Sequence, residues 1–444
     1  MRFLFINQYY SPDYAATAQQ LSDLCESIAE AGHEVHVLTS RALYDGRDIE
    51  LPAEEVLNGV HVHRVGLSNK GRNSLRDRLI GYLSFYVRAF TKAHFLPRAD
   101  VVVTLTTPPM ISLLGTWLRV LRKSRFVYWV MDIYPDIALN AGVLSRVGPT
   151  RGIWSALGRI SYLTANRVVV LGSDMKRILS KKGVRESKID VVQSWFCAED
   201  IRPVPACENG FRKEFCDGKD FTLMYSGNMG TCHTFRSVAE GIQLLEERNG
   251  DDRSTQFLFV GGGKKKPWLM EQLGKLTERV KFLPYQDRSE LDKSLTAPDA
   301  HLITLEPKYD GLLVPSKLYG IMAAGRAVLF VGSDNNEVAR ILRESRCGVR
   351  VDPDNAEAFA AAVRELASDP DETRAMGERG RAYFERHFER RWACERFLRM
   401  LEDEARRPGV RGVRSLAHHA VRRVVNGPGY RDSGMPEKVL ESAK

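Results

Sequence analysis

The chain has 444 residues, 43% of them apolar and 27% charged; these are the proportions of a soluble globular protein too long for one ordinary core, so two domains of about 200 residues each are expected. Residues 405–444 hold nine Lys/Arg against three Asp/Glu, a net of +6, which leaves only +3 of the total +9 for the rest and argues against a nucleic-acid-binding body. Seven scattered cysteines, none in C-x-x-C spacing, support neither a disulfide framework nor a zinc site and fit a reducing cytoplasm.

The opening "MRFLFINQYYSPD" reads as a strand and a polar loop, without the apolar core of a signal peptide. In "TAQQLSDLCESIAEAG" Leu21, Leu24 and Ile28 share one helical face, Thr17 and Gln20 fit a capping box, and Gly32 is the stop. The runs "EVHVLTS", "VHVHRV", "ADVVVTL", "RFVYWVMD", "NRVVVLGS" and "IDVVQS" then read as strands, mostly continuous in apolar character, as parallel strands covered on both faces are. The greasy stretches "LIGYLSFYVRAFTKAHFL" and "PMISLLGTWLRVL" are interrupted by charge or too short to span a bilayer, so no transmembrane helix is expected.

After the linker-like "FCAEDIRPVPACENG" the alternation restarts with strands "FTLMYSGN", "QFLFVGGG", "VKFLPY", "AHLITLE", "AVLFVG" and "GVRVD". Two further helices, near residues 371–388 and 390–404, close the globular part. Two doubly wound α/β units of this kind bind ligands beyond the carboxyl ends of their strands, so the loops there carry the chemistry. "YSGNMGTCH" sets Gly227, Asn228 and Gly230 at a strand-to-helix turn, where close backbone approach offers N–H groups to phosphate. "VGGGKKKPW", with Gly262, is a second such turn. Neither is a G-x-G-x-x-G or Walker loop, which disfavours dinucleotide and P-loop chemistry. In "YDGLLVPSKLYGIMAAGRAVLFVG", Pro315 suits a helix start, Gly325 a stop, and Lys317 falls in the first helical turn. A cation there is unfavourable unless an anion joins it. Gly320, Ala323 and Ala324 share a small face with Ser316, which either packs on the sheet or leaves room for a flat ligand. The D-x-D at Asp352-Pro-Asp354 precedes "NAEAFAAAV" and reads as capping.

These segments, with "FLFINQYYSPDYAATAQQL", "VMDIYPD", "VVQSWF", "FLPYQDRSELDKSLTAPDAHLITL" and "NNEVARIL", resemble in order those of glycosyltransferase family 4. The nearest likeness is to the bacterial branch that makes O-antigen, colanic-acid-type and other exopolysaccharides. The resemblance implies an α/β GT-B fold of two Rossmann-like doubly wound domains facing a central cleft. An acceptor domain is expected over residues 1–198 and a nucleotide-sugar donor domain over 211–388. A helix at 389–404 would pack back on the first domain, and 405–444 would form a basic tail. It also implies sugar transfer with retention at the anomeric carbon, from a nucleotide-diphosphate donor expected to be UDP-linked, with no metal and no cofactor. The acceptor is expected to be a polyprenyl-diphosphate-linked saccharide, and the enzyme to sit at the cytoplasmic face of the membrane.

Lys317 would then neutralise the leaving diphosphate together with its helix N-terminus. Gly227, Asn228, Gly230, Gly262, Tyr285, Asp310, Ser316 and Gly320 would line the donor. Gly320 stands where the family carries the second glutamate of E-x7-E; Glu337 or Asp310 is the available replacement for sugar-hydroxyl contacts, and for Glu337 a first-turn carboxylate on a helix dipole is equally open. Asp132 is the polar group of "VMDIYPD" that would meet the transferred sugar or stabilise oxocarbenium character, and Asp13, Ala16 and Thr17 would face the phosphates or acceptor. A GT-B sugar-nucleotide epimerase and a catalytically silent nucleotide-binding subunit are the alternatives. In the tail, "VRGVRSLAHHAVRRVV" reads either as a basic amphipathic helix suited to an anionic leaflet or as a solvated, disordered segment.

Overall fold

The computed structural model describes residues 1–407, apart from 14, 44–48, 68–74, 143–149, 217–219, 249–254 and 277. Most of the basic tail, from residue 408 onward, therefore lies outside the described residues. The chain divides into two compact units, Met1–Gln193 together with the chain from Cys394 onward, and Ser194–Ala393.

The first unit runs β1 (Arg2–Ile6), α1 (Ala16–Glu30), β2 (Glu34–Ser40), β3 (Glu54–Leu57), β4 (Val60–Val65), α2 (Leu75–Phe95) and β5 (Val101–Thr104). It continues with α3 (Ser112–Arg122), β6 (Arg125–Val130), α4 (Asp136–Asn140), α5 (Thr150–Thr164), β7 (Arg167–Val170), α6 (Ser173–Lys181) and β8 (Ile189–Val191). Its sheet has the order β3-β4-β2-β1-β5-β6-β7-β8, parallel except for β3 against β4. The continuous apolar runs become strands buried on both faces, as β5 and β6 show. β3 was not legible: its four residues alternate exposed and half-buried at the sheet edge, so they carry no apolar run.

The second unit runs α7 (Gly210–Phe215), β9 (Phe221–Ser226), α8 (Arg236–Arg248), β10 (Thr255–Val260), α9 (Lys266–Leu273), β11 (Val280–Leu283), α10 (Leu291–Thr296) and β12 (Ala300–Thr304). Then follow α11 (Lys317–Ala323), β13 (Ala327–Val331), α12 (Glu337–Ser345), β14 (Gly348–Val351), α13 (Ala356–Ser368) and α14 (Pro370–His387). The sheet order β11-β10-β9-β12-β13-β14 is all parallel, the doubly wound arrangement with its switch point between β9 and β12. Phe257, Phe259, Leu302 and Leu329 pack with Val238, Ile242 and Phe359 in the core on one side of that sheet.

The division falls just before Ser194 because the segment behind it is tied into the second unit. Phe196 pairs with Glu389, with the Arg390 amide donating to its carbonyl at 2.9 Å, and Arg381 donates to the Ile201 carbonyl at 2.8 Å.

Helix ends differ from expectation where local geometry overrides residue preference. Thr17 does not cap α1. The helix starts at Ala16 with Ala15 at its cap and no side-chain bond, and Asp13 instead accepts the Ala15 amide at 2.9 Å. Pro315 precedes α11, with Ser316 at the cap position. Neither Asp352 nor Asp354 caps α13; Asn355 does, accepting from the Ala358 amide at 2.8 Å, while Asp352 pairs with Arg350 at 2.5 Å.

The last helix, α15 (Arg390–Arg406), joins the first unit from Cys394 on. Phe397 meets Trp129 edge-on at 4.8 Å, and Glu402 accepts from His33 at 2.9 Å. Glu404, 1% exposed, lies 3.3 Å from Arg125, 3.5 Å from Arg167 and 3.3 Å from Arg407. Removing one member of such a buried cluster leaves uncompensated charge. Glu404→Ala should therefore cost the first unit about 3–5 kcal/mol, read as a lowered urea midpoint; an unchanged midpoint would show that the helix is held by Phe397 and Glu402 alone.

Candidate active site

In the second unit the loops that follow β9, β10 and β12 meet at the carboxyl ends of their strands. Gly227 has φ +127° and Gly261 φ +125°, a conformation that a side chain would strain. A Cβ on Gly261 would sit 2.3 Å from the Gly227 carbonyl oxygen, and one on Gly263 would sit 2.5 Å from Asn228 Oδ1. The two turns are thus packed backbone on backbone. Of the amides expected to face phosphate, that of Gly227 is taken up within the fold: Gly227 N–H donates to Val260 O at 2.9 Å, and beside it Met229 N–H donates to Gly262 O at 2.7 Å and Gly261 N–H to Leu283 O at 3.0 Å. Those donors are spent inside the fold. Tyr285, an exposed ring, lies beside Gly261 and Gly262, and the Asn228 side chain lies against Gly230.

The positive centre is Lys317. Its ammonium nitrogen lies 3.6 Å from the centre of the Tyr225 ring and against Gly227. It is buried, and among the described residues it has no hydrogen-bond partner. Burial pulls its pKa down to about 7, because a charged amine without a counter-ion is poorly solvated there. The aromatic face compensates in part. Tyr225 is itself fixed, donating its hydroxyl to the Asn228 carbonyl at 2.8 Å.

Two neighbours escaped sequence reading. His233 is buried and donates from Nδ1 to Thr304 O at 2.6 Å. Burial, and next the Lys317 charge, hold its pKa down to about 3, so it is neutral. Glu306, the acid of the β12 loop, is engaged by Lys265 and by Lys308 at 2.7 Å. Burial would raise its carboxyl, yet those lysines hold it below the ordinary value. The only sequence signals were a Tyr two residues before Gly227 and the lysine run after Gly263.

Of the two replacement carboxylates, Asp310 reaches the residue that caps α12, and Glu337 opens that helix. Asp310 accepts from Asn336 Nδ2 at 3.1 Å, and Asn336 caps α12 by accepting the Ala339 amide at 3.1 Å. Glu337 is the first residue of that helix, buried and paired with Arg340. Gly320 is not at this place. A Cβ there would meet Leu295, Phe196 and Ile201 at 3.6–3.8 Å, so Gly320 itself faces apolar side chains. Ser316 is half-buried at the start of α11.

The remaining candidates belong to the first unit. Asp132 follows β6 and retains some exposed surface, but its carboxyl is set deeply enough that burial pushes it up to about 6. Around it Tyr128 and Tyr162 stack at 5.2 Å, and Tyr162 donates to the Tyr134 carbonyl at 3.0 Å. Asp13 is buried in the turn before α1, Ala16 is exposed, and Thr17 is half-buried in the first helical turn. Arg64, buried, steadies that loop by donating to the Ser11 carbonyl at 2.8 Å.

The second unit therefore holds a desolvated cation beside the turn that follows β9, an arrangement suited to an anionic group. Comparison with known proteins agrees in kind. Residues 16–195 match the family described as "Glycosyl transferase 4-like domain", and residues 220–369 match "Glycosyl transferases group 1". WbjE of Pseudomonas aeruginosa, named a probable glycosyltransferase, is 28% identical over 308 residues, 67% of this chain and 74% of that protein. WcaI of Escherichia coli (strain K12), whose name assigns it to glycosyl transfer in colanic acid biosynthesis, is 24% identical over 385 residues, 82% of this chain and 92% of that one. Among solved structures, sucrose-phosphate synthase of Thermosynechococcus elongatus is similar with a TM-score of 0.71 at 16% identity, covering 91% of this chain and 98% of that one. HepE of Anabaena in complex with UDP is similar with a TM-score of 0.65 at 13% identity, covering 91% and 100%. With a 4-like domain in its first unit, a group 1 domain in its second and GT-B proteins as its structural neighbours, the chain belongs to the GT-B glycosyltransferases of family 4.

Proposed function

We propose that the enzyme moves a sugar, with retention at the anomeric carbon, from a UDP-sugar to a polyprenyl-diphosphate-linked saccharide during assembly of a cell-surface polysaccharide. It would work at the cytoplasmic face of the membrane. The observation that carries the donor half is the buried ammonium of Lys317 above Tyr225, without a hydrogen-bond partner among the described residues. A diphosphate placed there gains a charge-assisted contact in a site already stripped of water, where charge develops as the leaving group departs. The UDP complex of the similar HepE supports uridine as the base, and the naming of WcaI supports an exopolysaccharide product.

The donor's anomeric C–O bond to the β-phosphate breaks, and the acceptor hydroxyl oxygen bonds to the anomeric carbon on the same face. Its proton passes to the departing phosphate, so the leaving group serves as base. Asp310, held by Asn336, and Glu337, the next residue along, hold sugar hydroxyls. Asp132, anionic above about pH 6, stabilises oxocarbenium character. Incubation with UDP-sugar and no acceptor separates this reading from epimerisation, since only an epimerase would yield a new sugar nucleotide.

Lys317→Ala should weaken UDP binding at least tenfold with the fold intact, because one charge-assisted contact contributes roughly 1.5–3 kcal/mol. Lys317→Met should raise Tm without nucleotide, by removing an unpaired buried charge, and should abolish the Tm gain that UDP confers. Unchanged UDP affinity in both variants would sink the phosphate role.

The pH dependence has a defined sign. Free Lys317 is held near 7, and phosphate raises that value, so about a unit above it UDP binding takes up a proton. Calorimetry in buffers of different ionisation enthalpy should show this uptake, and it should vanish in Lys317→Met. Turnover should rise with pH through about 6 as Asp132 ionises. Asp132→Asn should lose that acid limb and most of its turnover while keeping UDP affinity; a variant with wild-type turnover would make Asp132 structural.

A further inference from the structure

Helix α2 is apolar on two opposite sides. Phe85, Ala89 and Ala93 are fully buried against the core of the first unit. On the solvent side Ile80, Leu83 and Val87, at spacings of three and four, are 53%, 65% and 59% exposed, and Phe95 at its end is 79% exposed. A helix apolar all round needs a non-aqueous neighbour on each side. The patch continues onto α3, where Trp117 and Leu121, one turn apart, are 46% and 50% exposed. Phe90 meets the Trp117 ring at 6.2 Å and joins the two helices into one surface. Scattered exposed side chains would need no explanation, but a contiguous set does.

The charge around this surface is predominantly positive. Residues 80–125 hold seven Lys/Arg and a single acid, Asp100. Arg122 donates to the carbonyls of Ala93, His94 and Leu96, with the shortest contact at 2.7 Å, and so lashes the end of α2 to α3. Arg88 and Lys123 are exposed. Lys92 pairs with Glu54 of β3, itself well exposed. A second copy of so basic a face would be repelled, whereas an anionic bilayer would be attracted. No helix among the described residues is long and apolar enough to cross a membrane, so the arrangement is one that lies on a surface, with aliphatic side chains and Trp117 in the headgroup region and cations at its rim.

We infer that the solvent face of α2 and α3 is the surface by which this enzyme docks on an anionic lipid bilayer. The inference rests on the proposed lipid-linked acceptor for its purpose. Tyr82 and Tyr86, on the same helix, lie close enough to Tyr134 to raise its pKa, as does Asp132. The helix that enters the headgroups thus lies near Tyr134, two residues from Asp132, on the side from which a lipid-linked acceptor would come.

The test is co-sedimentation of the full chain with vesicles of phosphatidylethanolamine and phosphatidylglycerol, against pure phosphatidylcholine. Wild type should bind the anionic vesicles, and raised salt should weaken that binding. Leu83→Glu/Val87→Glu should lower partition at least about tenfold while the Tm gain with UDP stays at its wild-type size. Arg88→Glu should reduce partition more at low salt than at high salt. Deleting residues 408–444, which spares Arg407 and its pairing with Glu404, should leave most of the binding in place. Wild-type partition in the double variant, or binding lost only on deletion of the tail, would overturn the inference. So would a solution dimer that Leu83→Glu/Val87→Glu breaks without any vesicle binding by wild type, which would make this face a contact between copies. Should no UDP-sugar be turned over although the vesicles are bound through this face, the proposed reaction fails and the docking surface stands.

Discussion

A buried ammonium without a counter-ion is a cost that a folded protein carries only if its surroundings enforce it. Lys317 is that case, and much of the second unit's local structure follows from it. The Tyr225 ring offers it a π-face, and Tyr225 is held by a bond to the Asn228 carbonyl. That carbonyl belongs to a turn that the neighbouring Gly261–Gly263 turn can touch only because neither carries a Cβ. His233 is kept neutral nearby. Glu306, whose carboxylate in contact with Lys317 would quench the site, is instead held by Lys265 and Lys308. Each element leaves the cation desolvated and unpaired, so that an arriving phosphate meets a centre whose reorganisation has already been met by folding.

The first unit shows the same principle with the opposite charge. Asp132 is raised by burial alone, just as Lys317 is lowered chiefly by burial. In each case low dielectric moves the group toward neutrality, and the two values lie near the middle of the pH scale, where a small change in surroundings alters charge. Both residues follow from the doubly wound architecture, which ends its strands in loops at one edge and leaves those loops free to carry groups that the core would reject.

What the sequence made legible follows from how far apart the interacting residues lie. Strands β5, β6 and β12 announced themselves because burial on both faces writes a continuous apolar run. Lys317 was conspicuous for the same reason, a cation in such surroundings. Its partner surface was not: Tyr225 and His233 are ordinary core-type residues locally, and only the order β10-β9-β12 of the sheet brings them to Lys317. Gly320 was ambiguous because a small residue in a helix reads equally as space for a ligand or as close packing, and its neighbours Phe196, Ile201 and Leu295 are nowhere near it in sequence. Caps were misread at Thr17, Pro315 and Asp352 because the chain's path into a helix is set by its tertiary neighbours; at α1 the turn made by Asp13 moves the start.

The apolar character of α2 is the most instructive ambiguity. Period and composition say only that the helix avoids water; they do not say what replaces it. For a helix between a sheet and a second layer of protein, the answer is the protein on both sides. Here the structure covers one side with Phe85 and Ala89 and leaves Leu83 and Val87 open, so the second partner is none of the described residues. The charge distribution then chooses among partners. A basic tail alone would give long-range attraction that salt screens, and an apolar stripe alone would give adhesion without preference for lipid over protein. The α2–α3 surface has both on one rigid scaffold, and rigidity matters, because a helix already fixed by its buried face loses no conformational entropy when its other face leaves water.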